Sequence, residues 1–121
     1  MPSPSLRILV VEDDPLVRDV VCEQLKEAKH QPVGSENGQE ALEIFKTGNF
    51  DLVITDHSMP GMSGVELAAT LKRINPAIPV ILLTGYGDML DGAVAAYFDL
   101  AVSKPFTFNL LRESIAKVMK K

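Results

Sequence analysis

Residues 52–55, Leu-Val-Ile-Thr, form a short run, mostly β-branched, with no polar alternation. A run of that kind reads as a strand buried on both faces. It stops at Asp56, and His57, Ser58, Pro60, Gly61, Ser63 and Gly64 after it are loop formers. A carboxylate therefore stands where a buried strand opens into a Gly/Pro loop, which in an open α/β sheet is the carboxyl edge where ligands bind. Taken alone, Asp56 serves equally well as an Asx-turn residue that satisfies loop amides.

The rest of the chain alternates in the same style. Residues 1–5 are a Pro/Ser lead-in without expected structure, and residues 6–121 form one domain. Residues 6–11 are apolar apart from Arg7 and read as the first strand. Residues 32–35 make a weak second strand, which Pro32 assigns to a sheet edge. Residues 51–55, 79–83 (closing on Thr84) and 100–103 supply three more. Between them run helical stripes. Val17, Val21, Leu25 and Ala28 follow an Asp14 cap and Pro15 in the first turn, with the helix reaching about residue 29. Ala41, Leu42, Ile44 and Phe45 carry a helix that stops at Gly48. Val65, Leu67, Ala68 and Leu71 face inward from residues 64–74, ended by Asn75-Pro76. Asp88 caps a short fourth helix containing residues 93–96, and Phe108, Leu111, Ile115 and Val118 or Met119 line the last helix. Five βα units of this kind imply a flavodoxin-like, doubly wound parallel sheet with right-handed crossovers and strand order 2-1-3-4-5.

Composition narrows the function. A chain of 121 residues with net charge −4 lacks the basic surface that nucleic-acid binding needs. Its single cysteine, Cys22, excludes an internal disulfide and fits a reducing compartment, as a small core hydrophobe. No apolar run approaches a membrane span, and MPSPSLR lacks the hydrophobic region of a signal peptide. These features point to the cytoplasm.

With that strand order, Glu12 and Asp13, Asp56, Thr84 and Lys104 stand at the ends of adjacent strands. Three carboxylates so placed raise one another's pKa values unless a cation holds them. Oxygen-only donors with room for water suit magnesium. A carboxylate beside a divalent ion, a hydroxyl and a lysine is a set for making an aspartyl-phosphate. Capping explains Asp13 alone, a turn explains Thr84 and solvent explains Lys104, but not their convergence.

The motifs VVEDD at 10–14, ITDHSMPGMSG at 54–64, LLTG at 82–85 and SKPF at 103–106 resemble the response-regulator receiver domain of two-component phosphorelay signalling. The resemblance runs from about residue 6 to the end. It implies Asp56 as phosphoacceptor, Asp13 and Asp56 as direct Mg2+ ligands, Glu12 as a ligand through water, and the Ser58 backbone carbonyl as a further ligand. It implies that Thr84 hydrogen-bonds the phosphoryl group, that Lys104 pairs with it, and that Lys104–Pro105 is a candidate cis bond. It also implies that Ser58 and Tyr86 stand at positions that flank the phosphoryl group, as residues that modulate its lifetime. The implied donor is a sensor histidine kinase or histidine phosphotransfer protein, with later hydrolysis. A downstream target or a second copy would use the face of the fourth helix, fifth strand and fifth helix. The resemblance thus implies a phosphoacceptor domain that catalyses its own phosphorylation and dephosphorylation, not a separate enzyme.

The chain departs from the family in its switch region. Receivers usually carry Tyr or Phe where Ala101 stands, and a small pair where Tyr97-Phe98 stand. Either the fourth helix and fifth strand signal by another rearrangement or barely signal at all, or Tyr97 or Phe98 fills core volume vacated at Ala101. Three rival classes fit the sequence less well. A flavoprotein would need a Ser/Thr/Gly-rich phosphate loop in place of Glu12-Asp13-Asp14. An aspartate-nucleophile phosphatase commonly has a second Asp where Ser58 stands. A purely interacting receiver typically lacks an acid or the lysine. His57 is a solvated loop residue on this reading, because magnesium takes oxygen ligands.

Overall fold

A computed structural model of the chain describes residues 5–85 and 97–119. The elements are β1 (Arg7–Val11), α1 (Pro15–Glu27), β2 (Gln31–Ser35), α2 (Gly38–Thr47), β3 (Leu52–Asp56), α3 (Gly64–Ile74), β4 (Val80–Thr84), β5 (Leu100–Ser103) and α4 (Phe108–Met119). The expected helix at 93–96 and Tyr86 lie outside the described residues.

All strand pairs are parallel and the order is β2-β1-β3-β4-β5, as the alternation predicts. Among the described residues β2 pairs only with β1, so Pro32 sits on an edge strand. Strand alternation divides the core into two layers. Ile8, Val10, Ile54, Ile81, Leu83 and Val102 face one way and pack with Val21 and Leu25 of α1 and Leu111, Ile115 and Val118 of α4. Leu9, Val11, Val53 and Val80 face the other way, onto Ala41 and Phe45 of α2 and Leu67, Ala68 and Leu71 of α3. Fully burying one such side chain contributes about 1.5–3 kcal/mol, so these layers hold the strand ends in register. Among the described residues no helix is long and apolar enough to cross a membrane.

β3 and β4 end at Asp56 and Thr84, where the sequence reading places the strand ends. The ladder reaches them because Asp56 lies opposite Leu83 and Thr84 opposite Ser103. The His57 amide then donates to the Leu83 carbonyl at 2.9 Å and the Lys104 amide to the Thr84 carbonyl at 2.7 Å.

At the opposite end of the sheet, His30 Nδ1 accepts the Leu6 amide at 3.1 Å, which only a ring unprotonated at Nδ1 can do. Burial pushes the His30 pKa below its usual value of 6.5. The folded value lies below the unfolded one, so this contribution to stability is present above the unfolded value and lost as pH falls through the folded one. Stability is expected to drop on acidification from about pH 7, and less steeply in His30→Asn, whose Oδ1 retains an acceptor. Superimposable urea midpoints for the two proteins across that range would exclude the effect.

Candidate functional site at the carboxyl edge

Four strand ends build the site. Beyond β1, the Glu12 amide donates to the Ser35 carbonyl at 3.0 Å, which keeps Glu12 against the sheet with only 1% exposure. Asp13, the next residue, is exposed. Asp14 then caps α1, accepting the Leu16 amide at 2.9 Å, with Pro15 in the first turn. At the end of β3 the Asp56 residue is 6% exposed. One carboxylate oxygen from each of Glu12, Asp13 and Asp56 lies within 4.8 Å of the others.

Lys104, just past β5, enters this group. Its Nζ is 2.9 Å from Asp56 Oδ1 and 3.3 Å from Glu12 Oε1. The Lys104–Pro105 peptide is cis, as the motif implies. Burial, then the neighbouring Asp56 charge, push the Glu12 carboxyl from 4.5 up to about 7, against the opposing pull of Lys104. For Lys104, burial acts downward, but the hydrogen bond and charge of Asp56, joined by Glu12, raise its pKa on balance. Three close carboxylates, two of them buried, form a donor set of oxygens that a hard cation would relieve. The residues present therefore fit a divalent ion.

The other expected residues take varied places. Thr84 is buried, and its Oγ1 reaches the Val102 carbonyl only at 3.5 Å. That is the outer limit of a hydrogen bond, so the hydroxyl is weakly committed to β5. Ser58 is exposed, with its Oγ 3.4 Å from His57 Nδ1. Phe98 packs into the α2/α3 layer, whereas Tyr97 is 41% exposed and Ala101 is exposed. Phe98 is thus half-buried against that layer. Of the face expected to meet a target, β5 and α4 are described, and Leu110 is exposed there.

Two residues bear on the site that the motif reading did not assign to it. Gly64 opens α3, and its amide donates to the His57 carbonyl at 2.8 Å. A Cβ on Gly64 would lie 2.1 Å from the Asp56 carbonyl oxygen. The helix start is fixed beside it by a capping box, in which the Glu66 amide donates to Ser63 Oγ at 3.1 Å. Arg18 on α1 donates from Nη1 to the Glu12 carbonyl at 2.7 Å. A glycine at a helix start and an arginine one turn into a helix are visible in sequence, but their targets are not.

Comparison with known proteins agrees with this geometry. The family model described as response regulator receiver domain matches residues 8–116. Sporulation initiation phosphotransferase F of Bacillus subtilis is 31% identical, over 93% of each chain. The response regulator protein TrrA of Thermotoga maritima, solved in complex with Mg(2+)-BeF, is 40% identical with a TM-score of 0.87, covering 93% of this chain and 98% of that one. TrrA has also been solved in complex with histidine kinase ThkA (40% identity, TM-score 0.85, 93% and 97% coverage). Several other curated relatives are longer: the chain spans 31% of a cyclic di-GMP phosphodiesterase of Thermotoga maritima, which is 32% identical over 95% of this chain. With the acids, threonine and lysine gathered at the sheet edge and the family model matched almost end to end, the chain belongs to the response regulator receiver domain family of two-component signalling.

Proposed function

We propose that the domain takes a phosphoryl group from a phosphohistidine onto Asp56 and acts as a signalling switch or relay. The observation that carries this is the Asp56 carboxylate at the end of β3, 2.9 Å from the Lys104 ammonium and grouped with Glu12 and Asp13. An Asp56 carboxylate oxygen attacks phosphorus, the P–N bond to the donor imidazole breaks, and its electron pair stays on the ring nitrogen. Lys104 neutralises phosphoryl charge, as a point cation does. Thr84, weakly held by Val102, supplies a hydroxyl to a phosphoryl oxygen. Hydrolysis reverses the bond to Asp56: water oxygen attacks phosphorus and the Asp56 carboxylate leaves.

Asp13 and Asp56 would hold Mg2+ directly, with Glu12 through water and the Ser58 carbonyl as a further ligand. When bound there, the ion supplies positive charge to the phosphoryl oxygens and relieves the repulsion among the acids. The same chemistry serves a stand-alone regulator and a receiver inside a hybrid kinase or longer regulator. Incubation with magnesium and acetyl phosphate is expected to add one phosphoryl group by intact mass spectrometry, and none to Asp56→Asn. A gain in that variant would remove Asp56 as acceptor, and no gain in either protein from a phosphohistidine donor would remove the function.

The outer face of α1 supports the partner assignment. Leu16 and Val20 are 75% and 54% exposed, and with Pro105, Phe106 and Lys104 they line a groove of about 440 Å³. Lys104 belongs to both the groove and the acceptor site, so a donor seated here reaches Asp56. Leu16→Asp is expected to slow transfer from phosphorylated histidine kinases and phosphotransfer domains by about tenfold or more, since burying a charge in an apolar contact is costly. Acetyl phosphate labelling should be unchanged. Equal slowing of both reactions would count against the groove as docking surface.

A further inference from the structure

Arg18 turns back from α1 toward the loop that carries two of the acids. Its Nη1 holds the Glu12 carbonyl at 2.7 Å. Its stem lies over Gly34 of the edge strand, where a Cβ would come within 3.2 Å of Arg18 Cδ and 3.4 Å of Cγ. The absence of a side chain at Gly34 leaves the space that the stem fills.

The Glu12 carbonyl and the Asp13 amide belong to one planar peptide. That peptide lies beyond the last β1 ladder pairs, Val11 with Ser35 and Val11 with Thr55. Its orientation decides how the Glu12 side chain turns inward while Asp13 stays at the surface, both within reach of Asp56. On one side the Glu12 amide is tied to Ser35, and on the other the carbonyl is tied to Arg18. Lys104, by contrast, bonds the Glu12 carboxylate itself. The two cations thus have separate tasks, one on the peptide and one on the side chain.

Building on the receiver reading above, we infer that Arg18 is a positioning residue for the cation site. Its guanidinium sets the plane of the Glu12–Asp13 peptide, and Gly34 is the gap through which its stem passes. Groups that orient metal ligands without touching the metal typically change affinity by about 10–100-fold when removed.

The test compares wild type, Arg18→Met, Gly34→Val and the double variant by magnesium titration calorimetry and by amide NMR without metal. Arg18→Met is expected to weaken magnesium binding about tenfold and to move the metal-free Asp13 amide resonance. Gly34→Val keeps the guanidinium but takes the space of its stem, and it should produce both effects. The double variant should be no weaker than the weaker single one, because both changes break the same contact. Unaltered magnesium affinity in both single variants would overturn the inference, even if their stability fell. Additive losses would overturn it too. Should Arg18→Met fail to fold, Gly34→Val decides, since valine suits an exposed edge strand. A wild type that takes no magnesium would overturn the metal reading instead, and the Asp13 amide in Gly34→Val would then decide whether Arg18 clamps the peptide.

Discussion

Gly64→Ala is expected to disable the acceptor loop although it adds a single methyl group. The new Cβ would stand 2.1 Å from the Asp56 carbonyl oxygen and 3.0 Å from His57 Cα. Both are backbone atoms, so no side chain can swing away to make room. Helix propensity favours alanine over glycine by about 1 kcal/mol, which acts in the opposite direction. Overpacking against rigid neighbours costs about 1–3 kcal/mol and sometimes more, so the steric term wins. Either α3 withdraws or the end of β3 shifts, and the second outcome moves Asp56 from Lys104. A lower urea midpoint together with at least tenfold slower acetyl phosphate labelling is expected, since a displacement of about 1 Å at a reacting centre costs about 10²-fold. Wild-type labelling at a wild-type midpoint would show that the close approach does not constrain the site.

Lys104→Met is expected to move two measurements in opposite directions. Removing one preorganised group that meets developing charge typically costs about 10²–10³-fold in rate, so labelling of Asp56 should fall by that order. Magnesium binding should tighten, because the ammonium 2.9 Å from Asp56 and 3.3 Å from Glu12 competes with the ion for the same carboxylates. Without metal, the Glu12 carboxyl loses the group that pulls its pKa down, and the variant should be less stable than wild type. Added magnesium should restore much of that loss by binding only the folded state. Weaker magnesium binding in Lys104→Met, or labelling at the wild-type rate, would contradict this division of roles.

Much of this protein is legible from local pattern. The buried run at 52–55, the alternation with helical stripes and Pro32 on a weak strand led to the observed sheet and its edge. Each signal depends on neighbours in sequence: the two-residue period of a strand, the 3.6-residue period of a helix, or the missing amide of proline. The strand order that this alternation implies brings Glu12, Asp13, Asp56, Thr84 and Lys104 to one edge. Boundaries were less legible: β3 and β4 begin at Leu52 and Val80, one residue later than the sequence reading places these strands, and run on through Asp56 and Thr84 because a parallel partner strand continues beside each.

What the sequence by itself determined is the fold and the set of polar groups at its carboxyl edge, since periodicity and turn chemistry are properties of the chain. Only the tertiary structure decided that Glu12 is buried while Asp13 is exposed, and that Lys104 rests between Glu12 and Asp56. It likewise placed Phe98 against the α2/α3 layer, Gly64 against the Asp56 backbone and the Arg18 stem over Gly34. These are contacts between atoms far apart in sequence, set by rotamers and close packing in three dimensions, and no local period encodes them.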